Sequence, residues 1–115
     1  MRYAVLHHDH PFVHWDLLLE TPSGCWTWRL LDAPDSPGLI RAERIADHRA
    51  WYLTYSGAVS GNRGTVTPWD AGRFVWLTAT ENRVVGLVTG IRWGGGIELL
   101  ADSADSWRLR VLSDA

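Results

Sequence analysis

Along most of this chain apolar residues recur at every second position, not with a helical period of three to four, which is the signature of half-buried β-strands. The clearest case is His14 to Glu20, where Trp15, Leu17 and Leu19 alternate with His14, Asp16, Leu18 and Glu20. Arg2 to His7, Trp26 to Leu31, Trp51 to Tyr55, Gly64 to Trp69, Phe74 to Thr78, Val84 to Val88, Ile97 to Leu100 and Trp107 to Leu112 also read as strands. Thr21-Pro22-Ser23-Gly24, Asp35-Ser36-Pro37-Gly38, Ser60 to Gly64 and Asp70-Ala71-Gly72 are breaks rich in turn formers. Gly94-Gly95-Gly96 reads as a flexible turn, and Leu39 to Asp47 as either a short helix or an irregular strand. So many short strands in so short a chain must hide their edges by closing or stacking. The pattern therefore predicts a mainly β fold, a closed β-barrel of about eight strands.

The length, 115 residues, predicts one domain over 1–115. With 46% hydrophobic and 21% charged residues, the composition is that of a globular chain. No apolar run approaches the roughly 20 residues a membrane helix needs, and Met1-Arg2-Tyr3 leads straight into a strand. The expectation is a cytoplasmic protein with no membrane partner. Cys25 is the only cysteine, so an internal disulfide and a thiolate metal cluster are both excluded. Eleven basic against thirteen acidic residues give a net charge of −2, far from the footprint of a protein that holds duplex DNA by counterion release alone. All eleven basic residues are Arg, so no lysine nucleophile or Schiff base is available. Most of the eight Trp fall at alternating strand positions, which favours core packing over a base-stacking platform.

The histidines are the anomaly. His7, His8, His10 and His14 fall within eight positions, interleaved with Asp9 and followed by Asp16. Alternation places His14 and Asp16 on one face of their strand, and the Asp9-His10-Pro11 bend lets His8 fold back to meet them. Two imidazoles and a carboxylate suit a divalent ion that keeps positions open for water and substrate. The competing reading is a solvated His-rich turn beside an ordinary His14–Asp16 hydrogen bond. His48 and Tyr52 stand four apart after Asp47; by themselves they read as a surface histidine and a strand tyrosine.

The run from His8 to Glu20 resembles the H-x5-H-x-D-x-R-L-E signature of the 3′-phosphoesterase domain found at the N-terminus of bacterial DNA ligase D and as stand-alone proteins. Asp47 to Tyr52 with Tyr55-Ser56-Gly57 is similar to that family's D-H-x3-Y-x2-F-x-G segment, and Gly64 to Gly72 to its G-T-V-x2-W-D-x-G segment. Trp28 and the Trp107 to Leu112 strand also have counterparts in it. The resemblance implies a compact barrel with one or two short flanking helices, and manganese-dependent removal of a 3′-phosphate or 3′-ribonucleotide in DNA repair. By position, His8, His14 and Asp16 would hold the metal, while His48 and Tyr52 would act on the phosphate. His10, in the bend, is a further choice, as general base, that needs no family support.

Two departures stand out. The signature Arg is replaced by Leu18, and the Lys of a W-A-x-P-K stretch is missing, with Asp32 near its place. An Arg–phosphate contact is charge-assisted and worth roughly 1.5–3 kcal/mol per bond, so a working enzyme needs the charge from elsewhere. Arg29, Arg41 and Arg44 are the expected suppliers. The implied partners are a nucleic-acid 3′ end or a phosphorylated small molecule, and a separate DNA ligase. A non-catalytic module that binds metal and phosphate is the alternative function. A barrel with incidental histidines is the third.

Overall fold

A computed structural model describes residues 1–112 of the protein. Nine strands follow in order: β1 (Arg2–His8), β2 (His14–Thr21), β3 (Gly24–Leu30), β4 (Ile40–His48), β5 (Gly57–Ala58), β6 (Thr65–Ala79), β7 (Arg83–Gly90), β8 (Gly94–Ala101) and β9 (Ser106–Leu112). A single 3-10 turn, Ala50–Thr54, lies between β4 and β5. The neighbours run β1-β2-β3-β4-β9-β8-β7-β6, and β6 returns to β1, so eight antiparallel strands close a barrel. β5 is an extra two-residue strand opposite Thr65 and Val66 of β6. Closure leaves no long unpaired edge.

Inward side chains from every barrel strand fill the lumen, among them Tyr3, Val5, Leu17, Leu19, Trp28, Leu30, Ile40, Phe74, Val88, Ile97, Leu99, Trp107 and Leu109. Trp28, Trp93 and Trp107 are buried there, and Trp15, Trp26, Trp69 and Trp76 pack against them. Seven of the eight Trp thus serve the core, as alternation implied; Trp51 is exposed.

β1 and β2 are buried on both faces. Ala4 and Leu6 of β1, Leu18 of β2, Cys25 of β3 and Val66 of β6 form a second, outer cluster beneath Leu53 of the 3-10 turn. That lid is why the alternation of exposure fails over most of both strands, although the alternation of direction holds.

Three local expectations are corrected, and the choice between helix and irregular strand for Leu39 to Asp47 is settled. Trp51 to Tyr55 is not a strand: Trp51 to Thr54 belong to the 3-10 turn and Tyr55 follows it, because Leu53 is drawn down onto the outer cluster. Leu39 to Asp47 resolves as strand β4, with its register shifted between Cys25 and Thr27 of β3. Asp70-Ala71-Gly72 is no turn: Gly64 to Trp69 and Phe74 to Thr78 belong to one bent strand, β6. Asp70 is a buried clasp that accepts bonds from Tyr3 Oη at 2.7 Å and from the backbone N–H groups of Ile91, Arg92 and Trp93 at 3.0, 3.2 and 3.0 Å. Gly72 is there because a Cβ would lie 2.0 Å from the Thr89 carbonyl oxygen of β7, a close strand approach and not a bend. Finally, Gly94-Gly95-Gly96 opens β8; the preceding link runs through Ile91 to Trp93.

Candidate metal centre

The β1–β2 register sets His8 opposite His14 and Leu6 opposite Asp16, so the first hairpin brings the two imidazoles and the carboxylate together on the outer face. Their donor atoms all lie within 4.8 Å of one another. His8 Nδ1 is 3.2 Å from Asp16 Oδ2, and His14 Nε2 is 3.1 Å from Asp16 Oδ1.

The far nitrogens define the tautomers. His8 Nε2 donates to the Arg63 carbonyl at 2.8 Å, and His14 Nδ1 donates to the Phe12 carbonyl at 2.9 Å. A carbonyl can only accept, so in each neutral ring the nitrogen facing Asp16 bears a lone pair. Two lone pairs then confront a carboxylate that is 3% exposed, and Asp16 Oδ1 has no hydrogen-bond partner. Buried, like-signed acceptors in contact are unstable without a cation among them. A divalent ion between them removes the conflict. Burial pushes the Asp16 carboxyl up, but hydrogen bonding and charge from His14, with the charges of His48 and His8, hold it below the usual range overall. The donor set fits a divalent metal, with backbone carbonyls as the outer support that ligating histidines commonly have.

Above this group lies a cleft of about 380 Å³ lined by, among others, His8, His10, Asp16, Arg29, His48, Arg49, Tyr52 and Arg63. Arg29 is the cross-strand neighbour of Asp16 on β3; its guanidinium lies over the Phe12 ring and 4.0 Å from Glu43, and its buried Nε is unpartnered. His48 ends β4, where its Nδ1 donates to the Ala46 carbonyl at 3.1 Å, which leaves Nε2 for a ligand. The Tyr52 ring, from the 3-10 turn, is 5.6 Å from the His48 ring. The expected His8, His14, Asp16, His48, Tyr52 and Arg29 thus gather at one place, and the exposed His10 lines it as well.

Arg41 and Arg44 are not brought there. Arg41 pairs with Asp32 at 2.8 Å and lines a different depression, beside Trp107 and Arg108. Arg44 points to the barrel interior, stacked over Trp26 and Trp28 with its centre 4.8 and 4.6 Å from the rings, and reaches Asp47 at 3.4 Å. In their stead stand Arg49, which caps the 3-10 turn and has no side-chain partner among the described residues, and Arg63, whose Nε donates to the Ser60 carbonyl at 2.7 Å. The only sequence signal for Arg49 was its place beside His48, and Arg63 lay in a segment that read as a turn. Leu18 shares the outer face with Asp16 but is sealed in the apolar cluster, 0% exposed, and does not line the cleft.

The loop carrying Arg63 is clasped onto the histidine bend. Asp9 accepts a bond from Thr65 N at 2.7 Å, and Gly64, at φ +78°, lies so close to Asp9 that a Cβ would be 2.2 Å from Oδ1. The clasp holds the Arg63 carbonyl that orients His8.

A small closed antiparallel barrel with a His–His–Asp group of metal-ligand geometry, set beneath an arginine-rimmed cleft, defines the class of this protein. The family described as the DNA Ligase D 3′-phosphoesterase domain matches residues 6–105, nearly the whole chain, and the chain belongs to it. Phosphoesterase-type chemistry is therefore its function at the family level. A search of curated proteins gave no match.

Proposed function

We propose that this protein is a divalent-metal-dependent phosphoesterase acting on the 3′ ends of nucleic acid, removing a terminal phosphate or ribonucleotide during DNA repair. The observation that carries this reading is the convergence of two imidazole nitrogens on a buried carboxylate with an unpartnered oxygen, beneath a cleft lined by three arginines. His8, His14 and Asp16 would hold the metal, expected to be manganese from the family, and it would supply Lewis acidity and an acidified bound water.

The rest falls to the chain. Arg29, Arg49 and Arg63 neutralise the incoming phosphate, which a chain of net charge −2 otherwise repels. His48, with Nδ1 spent on the Ala46 carbonyl, donates to a phosphoryl oxygen from Nε2 only as an imidazolium, and in its neutral form takes a proton there. The Tyr52 hydroxyl donates to charge that builds on the phosphate. A phosphorylated small molecule meets the same contacts. A separate ligase would consume the 3′-hydroxyl product, and the cytoplasm is the expected compartment.

The sealed Leu18 favours one second reading, a module that binds an end without turnover. Phosphate release from a 3′-phosphorylated oligonucleotide, with manganese or with chelator, separates the two. The wild type is expected to release phosphate only with metal, and His14→Ala not at all. Metal-dependent binding without release makes the protein a binding module.

A further inference from the structure

Of the eight Trp, only Trp51 lies outside the core and its margin, and its neighbour in sequence, Tyr52, lines the cleft. Trp51 precedes Tyr52, with which it stacks at 4.3 Å between ring centres and 24° between planes. Tyr55 meets it edge-on at 4.8 Å. One indole face is thus backed by an aromatic ring, yet Trp51 remains 48% exposed.

Leaving so large an apolar plane in water costs free energy that alternation spent on burying the other seven. Its support is unusual for a stray surface residue: Tyr52 and Tyr55 fix the ring plane, so a ligand stacking on it loses little side-chain entropy on binding. Phe12 is a second exposed aromatic of the same neighbourhood, 48% exposed, with Arg29 of the cleft wall 5.4 Å over its ring. Planar apolar surfaces beside a cationic, phosphate-sized cleft match a nucleotide, whose base offers a π face and whose phosphate offers charge.

We propose that Trp51 is the stacking platform for the base of the substrate's 3′-terminal nucleotide, so that the site reads a base-bearing phosphate and not phosphate alone. This rests on the phosphoesterase reading for the cleft and deepens it by naming the residue that recognises the terminal base. The platform is indifferent to sequence, because every base has a π face. Tyr52 couples the two halves of the site: its ring backs Trp51 while its side chain lines the cleft.

The test is equilibrium binding by fluorescence anisotropy, with manganese, of two labelled single-stranded oligonucleotides ending in a 3′-phosphate. One carries a normal terminal base and the other an abasic terminal residue. For the wild type, the base-bearing end is expected to bind about tenfold or more tightly, within the range that single-base stacking gives. Trp51→Ala should abolish that preference by weakening the base-bearing end while leaving the abasic one within about twofold; Trp51→Phe should keep part of it. Equal weakening of both ends by Trp51→Ala would mean that Trp51 only props Tyr52, and overturns the platform. So would a wild type without preference, or one that binds neither end. Phosphate release on the same oligonucleotides keeps the two proposals apart. A preference that depends on Trp51 without release would retain the platform and reject the hydrolase, and release without preference would do the reverse.

Discussion

Asp16 and Leu18 stand two apart on one face of β2, and their surroundings give them opposite fates. Asp16 faces two lone-pair nitrogens and calls for a cation; His14→Ala or Asp16→Asn should lower manganese affinity by more than about 100-fold, since losing even an outer partner of a ligand commonly costs 10–100-fold. Calorimetric titration with the metal checks this. Leu18 packs on Ala4, Leu6, Cys25, Leu53 and Val66. Restoring the family residue with Leu18→Arg should therefore cost about 2 kcal/mol or more of stability, from overpacking and a buried guanidinium, and should not raise phosphate release. Urea unfolding and the release assay measure the two halves of that outcome. Arg49→Ala and Arg63→Ala, by contrast, should each lower release by about tenfold or more with little change in stability, because both side chains are exposed and line the cleft. Alternation set His14 and Asp16 on one face in the sequence and the bend turned His8 back to them, since hairpin pairing needs only local register. It could not find Arg49 or Arg63, because a loop arginine reaches a site only through the path of the folded chain.

At the scale of elements, the clasp around Asp70 ties β1, β6 and the β7–β8 link together. Burial pushes its carboxyl up, but the Tyr3 hydroxyl and the N–H groups of Trp93, Arg92 and Ile91 more than offset this and hold it below the usual range. A carboxylate with a depressed folded value stabilises fully above its unfolded pKa of roughly 4, and loses that contribution as pH falls through the folded value. Asp70→Asn should therefore cost about 2–3 kcal/mol at neutral pH and flatten the acid limb of the stability curve, as thermal unfolding from pH 7 to pH 2.5 would show. The β6 segment Asp70 to Gly72 was misread as a turn because Asp and Gly have two uses. They form bends, and they also serve as an N–H acceptor and as the site of a close strand approach. Only the partner strand decides between these.

For the whole molecule, closure is the organising fact, and its weakest seam is legible in the pairing. β4 meets β9 only through Ile40 to Glu43 against Ser106 to Leu109, whereas β2 pairs with β3 along nearly its whole length. Native-state hydrogen exchange should find the amides of the β4–β9 seam opening at lower free energy than those of β2 and β3. The metal-free and metal-bound proteins should differ most at β1, β2 and the Arg63 loop, where ligation would bind the folded state alone.

The strand content, the direction of each side chain on β2, the dominance of Trp in the core and the kinship of His8, His14 and Asp16 were all present in the order of residues, because each follows from period-two alternation and a short hairpin. Three matters were settled only by the closed barrel. The 3-10 turn folded onto the outside of β1 and β2 and sealed Leu18 away from the cleft. Arg41 and Arg44 were drawn off to Asp32 and to the Trp26–Trp28 pair, while Arg49 and Arg63 took the rim. Trp51, one of eight identical residues on paper, was left exposed, stacked on the Tyr52 that lines the cleft. Each depends on contacts between segments far apart in the chain, whose geometry no local period encodes.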